Sequence, residues 1–133
     1  MNRLAIVGWM AGLLVAVWAG LAETAPPVNS VRDFMRKKLV HSQKVLEGVT
    51  TDDLEMVAKH SQELSLLSQA ATWQVLQTPE YLQHSTEFRR AADSLTEAAR
   101  KRNADGVALA FVDVTMKCVT CHKYVRGVRT AAK

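Results

Sequence analysis

From residue 29 onward, apolar side chains recur at steps of three and four residues, which is the period of an α-helix. No stretch alternates apolar and polar residues between turn signals, as a half-buried strand would. The pattern predicts four helices, over about 29–47, 52–77, 80–102 (or from Thr86) and 105–128. Because only a few residues join one helix to the next, we expect neighbouring helices to be antiparallel. The predicted fold is an all-α, up-down-up-down four-helix bundle.

Helix-capping residues set the predicted boundaries. Gly48 fits the position just past the end of the first helix, and Thr50 or Thr51 fits the N-cap of the second. Pro79 marks a break, because proline is tolerated in the first turn of a helix but not in its interior.

The first 22 residues have the layout of a secretory signal peptide. Arg3 supplies a positive start, Leu4–Leu21 is almost entirely apolar, and Gly20 and Ala22 are small residues before the expected cleavage point. The apolar run is also just long enough for an uncleaved membrane anchor. We predict that residues 1–22 are removed on export to the periplasm, with the anchor as the alternative, and that residues 23–133 form one domain.

Charge excludes one class of partner. The 133-residue chain has a formal net charge of +4, and no dense Lys/Arg run is interleaved with aromatic residues. Nucleic acid is therefore not an expected partner.

The sequence contains no nucleophile–base constellation, no carboxylate pair at catalytic spacing and no Gly-rich phosphate loop, so we expect that the protein is not an enzyme.

The only two cysteines, Cys118 and Cys121, precede His122 in the pattern C-x-x-C-H. On one helical turn both thiols can add to the vinyl groups of the same haem, and the imidazole is then aimed at the iron. The residues therefore predict one covalent haem c with His122 as the proximal ligand. An export segment agrees with this, because bacteria attach haem covalently outside the cytoplasm. A disulfide or redox pair is the alternative, although no strand–helix–strand pattern surrounds these cysteines.

Small residues are frequent at the expected core positions of the helices. Such residues leave room that a haem would fill, although a tight alanine-type contact between helices has the same composition. The residues in question are Ser42, Ser61, Ser65, Ser68, Ala70, Ala71, Ala91, Ala92, Ala98 and Ala99.

With an export segment, four helices and C-x-x-C-H in the last helix, the chain resembles the class II cytochromes c, the cytochrome c′ family. In that family an Arg follows the haem His by four residues, and Arg126 stands at this position. Tyr124 lies one position before the family's usual aromatic residue. The resemblance implies that Cys118, Cys121, His122 and Arg126 all bind haem.

The resemblance further implies that a residue of the first helix faces the distal side of the iron. This residue is Met in low-spin electron-transfer members and usually an apolar, non-coordinating residue in cytochrome c′ itself. Met35 matches that position on the apolar stripe of the first helix. Its thioether is a soft iron ligand, and His/Met ligation suits electron transfer. On the residues alone, Met35 is equally compatible with core packing.

One departure from the family concerns the haem propionate. The family often carries an Arg four residues before the distal position, where this chain has Val31. We therefore expect Arg32 or Arg36 to take over that role. If the helix is offset by one residue, Met35 misses the iron and Leu39 becomes a non-coordinating distal wall.

Two functions follow from these alternatives. With His122 and Met35 as axial ligands, the protein is an electron-transfer cytochrome that serves a redox partner protein. With an open distal site, it is a five-coordinate protein that binds NO or CO. A helical thiol–disulfide protein without haem is the third alternative. The other histidines (His41, His60 and His84) lie next to polar residues and are expected to be exposed rather than iron ligands.

The resemblance also implies a homodimer, since relatives often pair through their first two helices. The outer face of the first helix is expected to oppose that contact, because its basic residues would repel their symmetry mates unless Glu47, Asp52, Asp53 or Glu55 compensates. These residues are Arg36, Lys37, Lys38 and Lys44.

Overall fold

The computed structural model describes residues 28–70, 73 and 75–132, and the predicted signal peptide over 1–22 lies outside them. The described residues form four helices and no strand, which confirms the all-α class and agrees with a four-helix bundle. The helices are α1 (Val28–Thr51), α2 (Leu54–Leu67), α3 (Pro79–Arg100) and α4 (Ala104–Ala131). None of these helices is both long enough and apolar enough to cross a bilayer.

The turn between α1 and α2 is tighter than predicted. Helix α1 continues through Gly48 to Thr51, so the predicted end at Gly48 and the predicted caps at Thr50 and Thr51 were wrong. The chain reverses at Asp52, whose φ of 57° is in the left-handed region. The Asp53 carboxylate then caps α2 by accepting a hydrogen bond from the Met56 amide at 2.9 Å.

Helix α2 is shorter than its apolar pattern indicated, ending at Leu67 rather than near residue 77. The Ser68 hydroxyl donates a 2.6 Å hydrogen bond to the Ser65 carbonyl, an example of the local side-chain bonding that competes with helix continuation. The segment that follows brings Trp73, which is 4% exposed, into the core.

The N-terminal caps of α3 and α4 are side-chain oxygens. The Thr78 hydroxyl accepts from the Tyr81 amide at 3.2 Å, and Pro79 occupies the first turn of α3 as predicted. The side-chain Oδ1 of Asn103 accepts a hydrogen bond from the Gly106 amide at 3.0 Å at the start of α4. These caps satisfy amides that have no partner within the helix.

Consecutive helices pack along their lengths, whereas α1 and α4 touch only slightly. The core includes small residues in addition to large apolar ones, as expected from the sequence. In it the buried Ser61 and Thr96 hydroxyls lie 2.7 Å apart and link α2 to α3. The gap between α1 and α4 is the feature of the bundle that determines the candidate site.

Candidate haem-binding cavity

A cavity of about 630 Å³ opens between α1 and α4. Its volume lies within the range of about 300–1,000 Å³ that is usual for small-molecule and cofactor sites. Most of its wall is apolar, and the walls come from α1, the segment after α2, α3 and α4. The lining residues are Val31, Met35, Lys38, Leu39, Ser42, Trp73, Val75, Leu76, Tyr81, Phe88, Lys117, Cys118, Cys121, His122, Val125, Arg126 and Arg129.

Helix α4 contributes all three residues of the C-x-x-C-H pattern to this cavity. Cys118, Cys121 and His122 share one face of α4 because steps of three and four residues nearly complete a helical turn. Both cysteines are free thiols, and burial raises the pKa of each while the positive charge of Lys38 partly opposes that rise. The thiols are therefore neutral at pH 7 and are not preset as thiolate nucleophiles.

The imidazole of His122 is biased toward its neutral form. Partial burial of the ring lowers its pKa, and the positive charges of Arg126 and Lys38 lower it further. Neutral imidazole is the form that binds a metal, so these surroundings favour coordination over protonation.

Helix α1 supplies the facing wall. Val31, Met35, Leu39 and Ser42 line the cavity at the three- and four-residue steps of one helical face. Met35 is half-buried, and Leu39, which we considered as the alternative distal residue, is more exposed. The structure thus brings Met35 and His122 to the same cavity from two different helices.

Lys38 is the residue whose position differs most from the sequence prediction. We expected it on the basic outer face of α1, but it is only 7% exposed and lines the cavity. Its ammonium nitrogen lies 3.5 Å from the centre of the Trp73 ring and 3.4 Å from that of Phe88. Burial lowers the pKa of Lys38 to about 7, although Cys118 and Cys121 would each raise it.

The aromatic wall is held together by hydrogen bonds that the sequence did not reveal. The Trp73 indole donates to the Ser85 hydroxyl, and the Tyr81 hydroxyl donates to the Trp73 carbonyl oxygen. Burial raises the pKa of Tyr81 to about 12, so its phenol remains a donor at neutral pH. The Trp73 and Phe88 rings are 5.5 Å apart and tilted, a favourable geometry for an aromatic pair.

The charged residues of the cavity wall are all positive. They are Lys38, Lys117, Arg126 and Arg129, and the wall includes no carboxylate among the described residues. Of these four residues, only Lys117 forms an ion pair within the described part of the chain, with Glu87 at 3.4 Å. Arg32 and Arg36, which we expected near a haem propionate, are exposed and do not line the cavity.

This combination of groups fits a haem. The group is a large apolar macrocycle with two carboxylates, and the cavity offers an apolar wall, four cationic residues and a C-x-x-C-H turn. Arg126 lies on the cavity wall, and Arg129 is an additional cation there that the sequence reasoning missed. The period of α4 would have revealed it, because Arg129 follows His122 by two helical turns.

Tyr124 does not line the cavity and has a different function in the fold. Its hydroxyl lies 2.6 Å from that of Thr78, and its ring centre lies 5.4 Å from that of His84. Since Thr78 caps α3, the contact ties the start of α3 to α4. His84 lies within α3 and is half-buried, which corrects the expectation that it is exposed.

His41 and His60 form a pair that the sequence reasoning did not foresee. We expected both on exposed faces, but they are half-buried and their Nδ1 atoms lie 2.9 Å apart across α1 and α2. Burial lowers the pKa of His60, and the nearby His41, Lys59 and Lys44 lower it further. Within the described part of the chain, no group of three or more His, Cys, Asp or Glu residues is arranged to hold a metal ion.

Comparison of the chain with protein-family models, with curated proteins and with solved structures finds no match.

Proposed function

We propose that the protein is an exported c-type cytochrome of the class II kind that transfers electrons to or from a redox partner protein. The observation that carries this proposal is the convergence of Cys118, Cys121, His122 and Met35 on one cofactor-sized, largely apolar cavity. The C-x-x-C-H turn accounts for the two free cysteines, and the cationic wall accounts for the charge of a haem.

Each residue has a specific role in this proposal. Cys118 and Cys121 would hold the haem through thioether bonds, and His122 would bind its iron. Met35 would be the second protein ligand of the iron, and the Arg126 and Arg129 guanidiniums would pair with the propionates. When bound, the haem supplies a one-electron Fe(III)/Fe(II) couple.

The protein environment favours electron transfer over substrate chemistry. The buried aromatic wall of Trp73 and Phe88 excludes water from one side of the cavity, which limits the reorganisation that accompanies a change in charge. His122 on α4 and Met35 on α1 would hold the iron of a bound haem from two different helices, so its surroundings would change little between the two oxidation states.

Optical spectra of the protein expressed with a haem-attachment system test this proposal. We expect a sharp low-spin reduced α band that does not respond to CO, and a Met35→Ala variant that becomes high-spin and binds CO. Met56→Ala is the matched control, because Met56 is half-buried on α2 and does not line the cavity.

Each of the other results has a definite meaning. A wild-type spectrum that is high-spin and shifts with CO would support the five-coordinate, gas-binding alternative. An unchanged low-spin spectrum in Met35→Ala would contradict ligation by Met35 and would make Lys38 the next residue to replace. Failure of the wild-type protein to retain haem would overturn the proposal.

A further inference from the structure

Helix α4 carries a stripe of exposed apolar residues that the bundle does not cover. Leu109 is 74% exposed, Val112 59%, Met116 54% and Val119 45%. We call these four residues the α4 stripe. Their spacing of three, four and three residues is the repeat of a helix–helix seam, in which apolar side chains return to one side of the helix every 3.5 residues.

The α4 stripe lies on the opposite side of α4 from the cavity. At about 100° per residue, the centre of the stripe is about 170° from that of the face bearing Val114, Cys118 and Cys121. Val114 and Cys121 are buried, so the two faces differ in burial as well as in direction. A molecule that packs on the α4 stripe therefore leaves the cavity accessible.

The pattern of the stripe matches a second copy of itself in antiparallel orientation. A two-fold axis at the level of Val114 sets Leu109 opposite Val119 of the other copy and Val112 opposite Met116. The same axis sets Asp105 opposite Lys123, and both of these residues are exposed. A parallel arrangement would instead place Asp105 against Asp105 and Lys123 against Lys123.

We propose that two copies of this chain pair through their α4 stripes in an antiparallel, two-fold symmetric dimer. Such an interface is isologous, because each copy contributes the same residues. The apolar contacts remove four large exposed side chains per copy from water. Two symmetric Asp105–Lys123 pairs set the direction of the helices and favour this register over shifts by one helical repeat.

The proposed dimer differs from the one that the family resemblance implied. Pairing through α1 and α2 would bring the exposed basic residues Arg36 and Lys37 of two copies together, whereas Lys44 is already paired with Glu47 at 2.6 Å. Pairing through α4 avoids this repulsion. The contact consists of one helix from each copy, so its area lies at the low end of protein interfaces and the dimer is expected to dissociate in the micromolar range.

Sedimentation velocity of the full-length protein as purified, from 5 µM to 1 mM in about 0.05 M salt, tests this proposal. We expect a concentration-dependent monomer–dimer equilibrium. Met116→Lys inserts two like charges near the centre of the seam and should weaken the dimer at least about tenfold. The matched control is Leu66→Ser, which removes an apolar residue that is 52% exposed on α2. This control should leave the equilibrium unchanged.

A charge swap tests the antiparallel register. Asp105→Lys and Lys123→Asp should each weaken the dimer by about fivefold, because each converts two attractive pairs into repulsive ones. The double variant should recover most of the affinity. Circular dichroism checks that each variant retains its helices, so that loss of the dimer is separated from loss of the fold.

Three results would overturn the proposal. The first is a protein that remains monomeric up to 1 mM. The second is a dimer that Met116→Lys leaves intact, and the third is a double charge variant that is weaker than both single variants while still folded. The outcome does not depend on haem, because the α4 stripe faces away from the cavity.

Discussion

The Lys38 ammonium nitrogen lies between two aromatic rings, 3.5 Å from the centre of Trp73 and 3.4 Å from that of Phe88. No carboxylate of the described residues forms an ion pair with Lys38 within 4.0 Å. Ring faces attract a cation, but they replace only part of the hydration that burial removes. Lys38 therefore makes the stability of the haem-free protein dependent on pH.

Stability of the haem-free protein should rise as the pH is raised from 7 to 9. The pKa of Lys38 is about 7 in the folded state against 10.5 for an ordinary lysine. Between these two values the unfolded chain binds more protons than the folded one, so raising the pH favours folding. A difference of one bound proton between the two states raises the free energy of unfolding by at most about 1.4 kcal/mol for each pH unit.

Urea unfolding of the haem-free protein at several pH values measures this effect. The Cys118→Ser/Cys121→Ser double variant is a suitable background, because it attaches no haem through these positions and has no titrating thiols. Adding Lys38→Met to this background should flatten the pH profile and stabilise the protein at pH 7 by on the order of 2 kcal/mol. Equal slopes with and without Lys38 would contradict the assignment.

The His41–His60 pair should destabilise the protein on acidification. The pKa of His60 is held below 6.5 by burial and by neighbouring positive charge. Below pH 6.5 the unfolded chain takes up the proton more readily, so stability is lost as the pH falls toward the lower folded-state pKa.

A pair of histidine variants separates the effect of the His41–His60 pair on stability from the effect of carboxylates that titrate in the same pH range. The His41→Gln variant removes the 2.9 Å contact between His41 and His60, and it should lose less stability than the wild type between pH 7 and 5. The His84→Gln variant, on α3, should lose as much stability as the wild type. Thermal unfolding across this pH range gives the comparison. Parallel profiles for the wild type and His41→Gln would contradict the prediction.

Gly48 should resist substitution even though it lies within a helix. A Cβ atom at this position would meet the Asp53 carbonyl oxygen and the Val57 Cγ2, each at 2.8 Å. Alanine is the better helix former by about 1 kcal/mol, but a clash with backbone and with a fully buried side chain costs about 1–3 kcal/mol. We expect Gly48→Ala to destabilise the protein by about 1 kcal/mol.

Gly127 provides the control that shows how much alanine stabilises a helix where no clash occurs. A Cβ atom added there meets nothing within 4 Å, and the residue is exposed within α4. Gly127→Ala should therefore stabilise the protein by up to about 1 kcal/mol. Denaturant unfolding of both variants measures the contrast, and the same sign of change in both would be inconsistent with close packing at Gly48.

Removing a cationic residue of the cavity wall should lower the potential of the proposed haem. Arg126 lines the cavity, and its positive charge favours the reduced form over the oxidised one, which carries one more positive charge. Arg126→Leu is expected to lower the midpoint potential on the order of 50 mV, or about tenfold in the one-electron equilibrium constant.

Redox titration followed by absorbance measures this shift. Arg32→Leu is the matched control, because it removes the same charge from an exposed position on α1 that does not line the cavity. Equal shifts in the two variants would mean that net charge, rather than a position on the wall, sets the potential.

The local pattern of the sequence was sufficient to predict several features of the structure. The helical period identified four helices, and Pro79 marked the start of α3 correctly, although the predicted caps between α1 and α2 were wrong. The spacing of Cys118, Cys121 and His122 on one helical face follows from the geometry of a single turn. These features depend on neighbours within four residues, so they are readable without knowledge of the fold.

Contacts between distant residues were decided only by the tertiary structure. The burial of Lys38 depends on Trp73, which reaches the core through an irregular segment where the sequence pattern indicated helix. The approach of His41 to His60 depends on how α1 and α2 are rotated about their axes. A helical period gives the face on which a side chain lies, but packing decides which neighbour that face meets. The sequence by itself therefore determined the four helices and the C-x-x-C-H turn, and only the assembled bundle determined the cavity, its cationic wall and the uncovered face of α4.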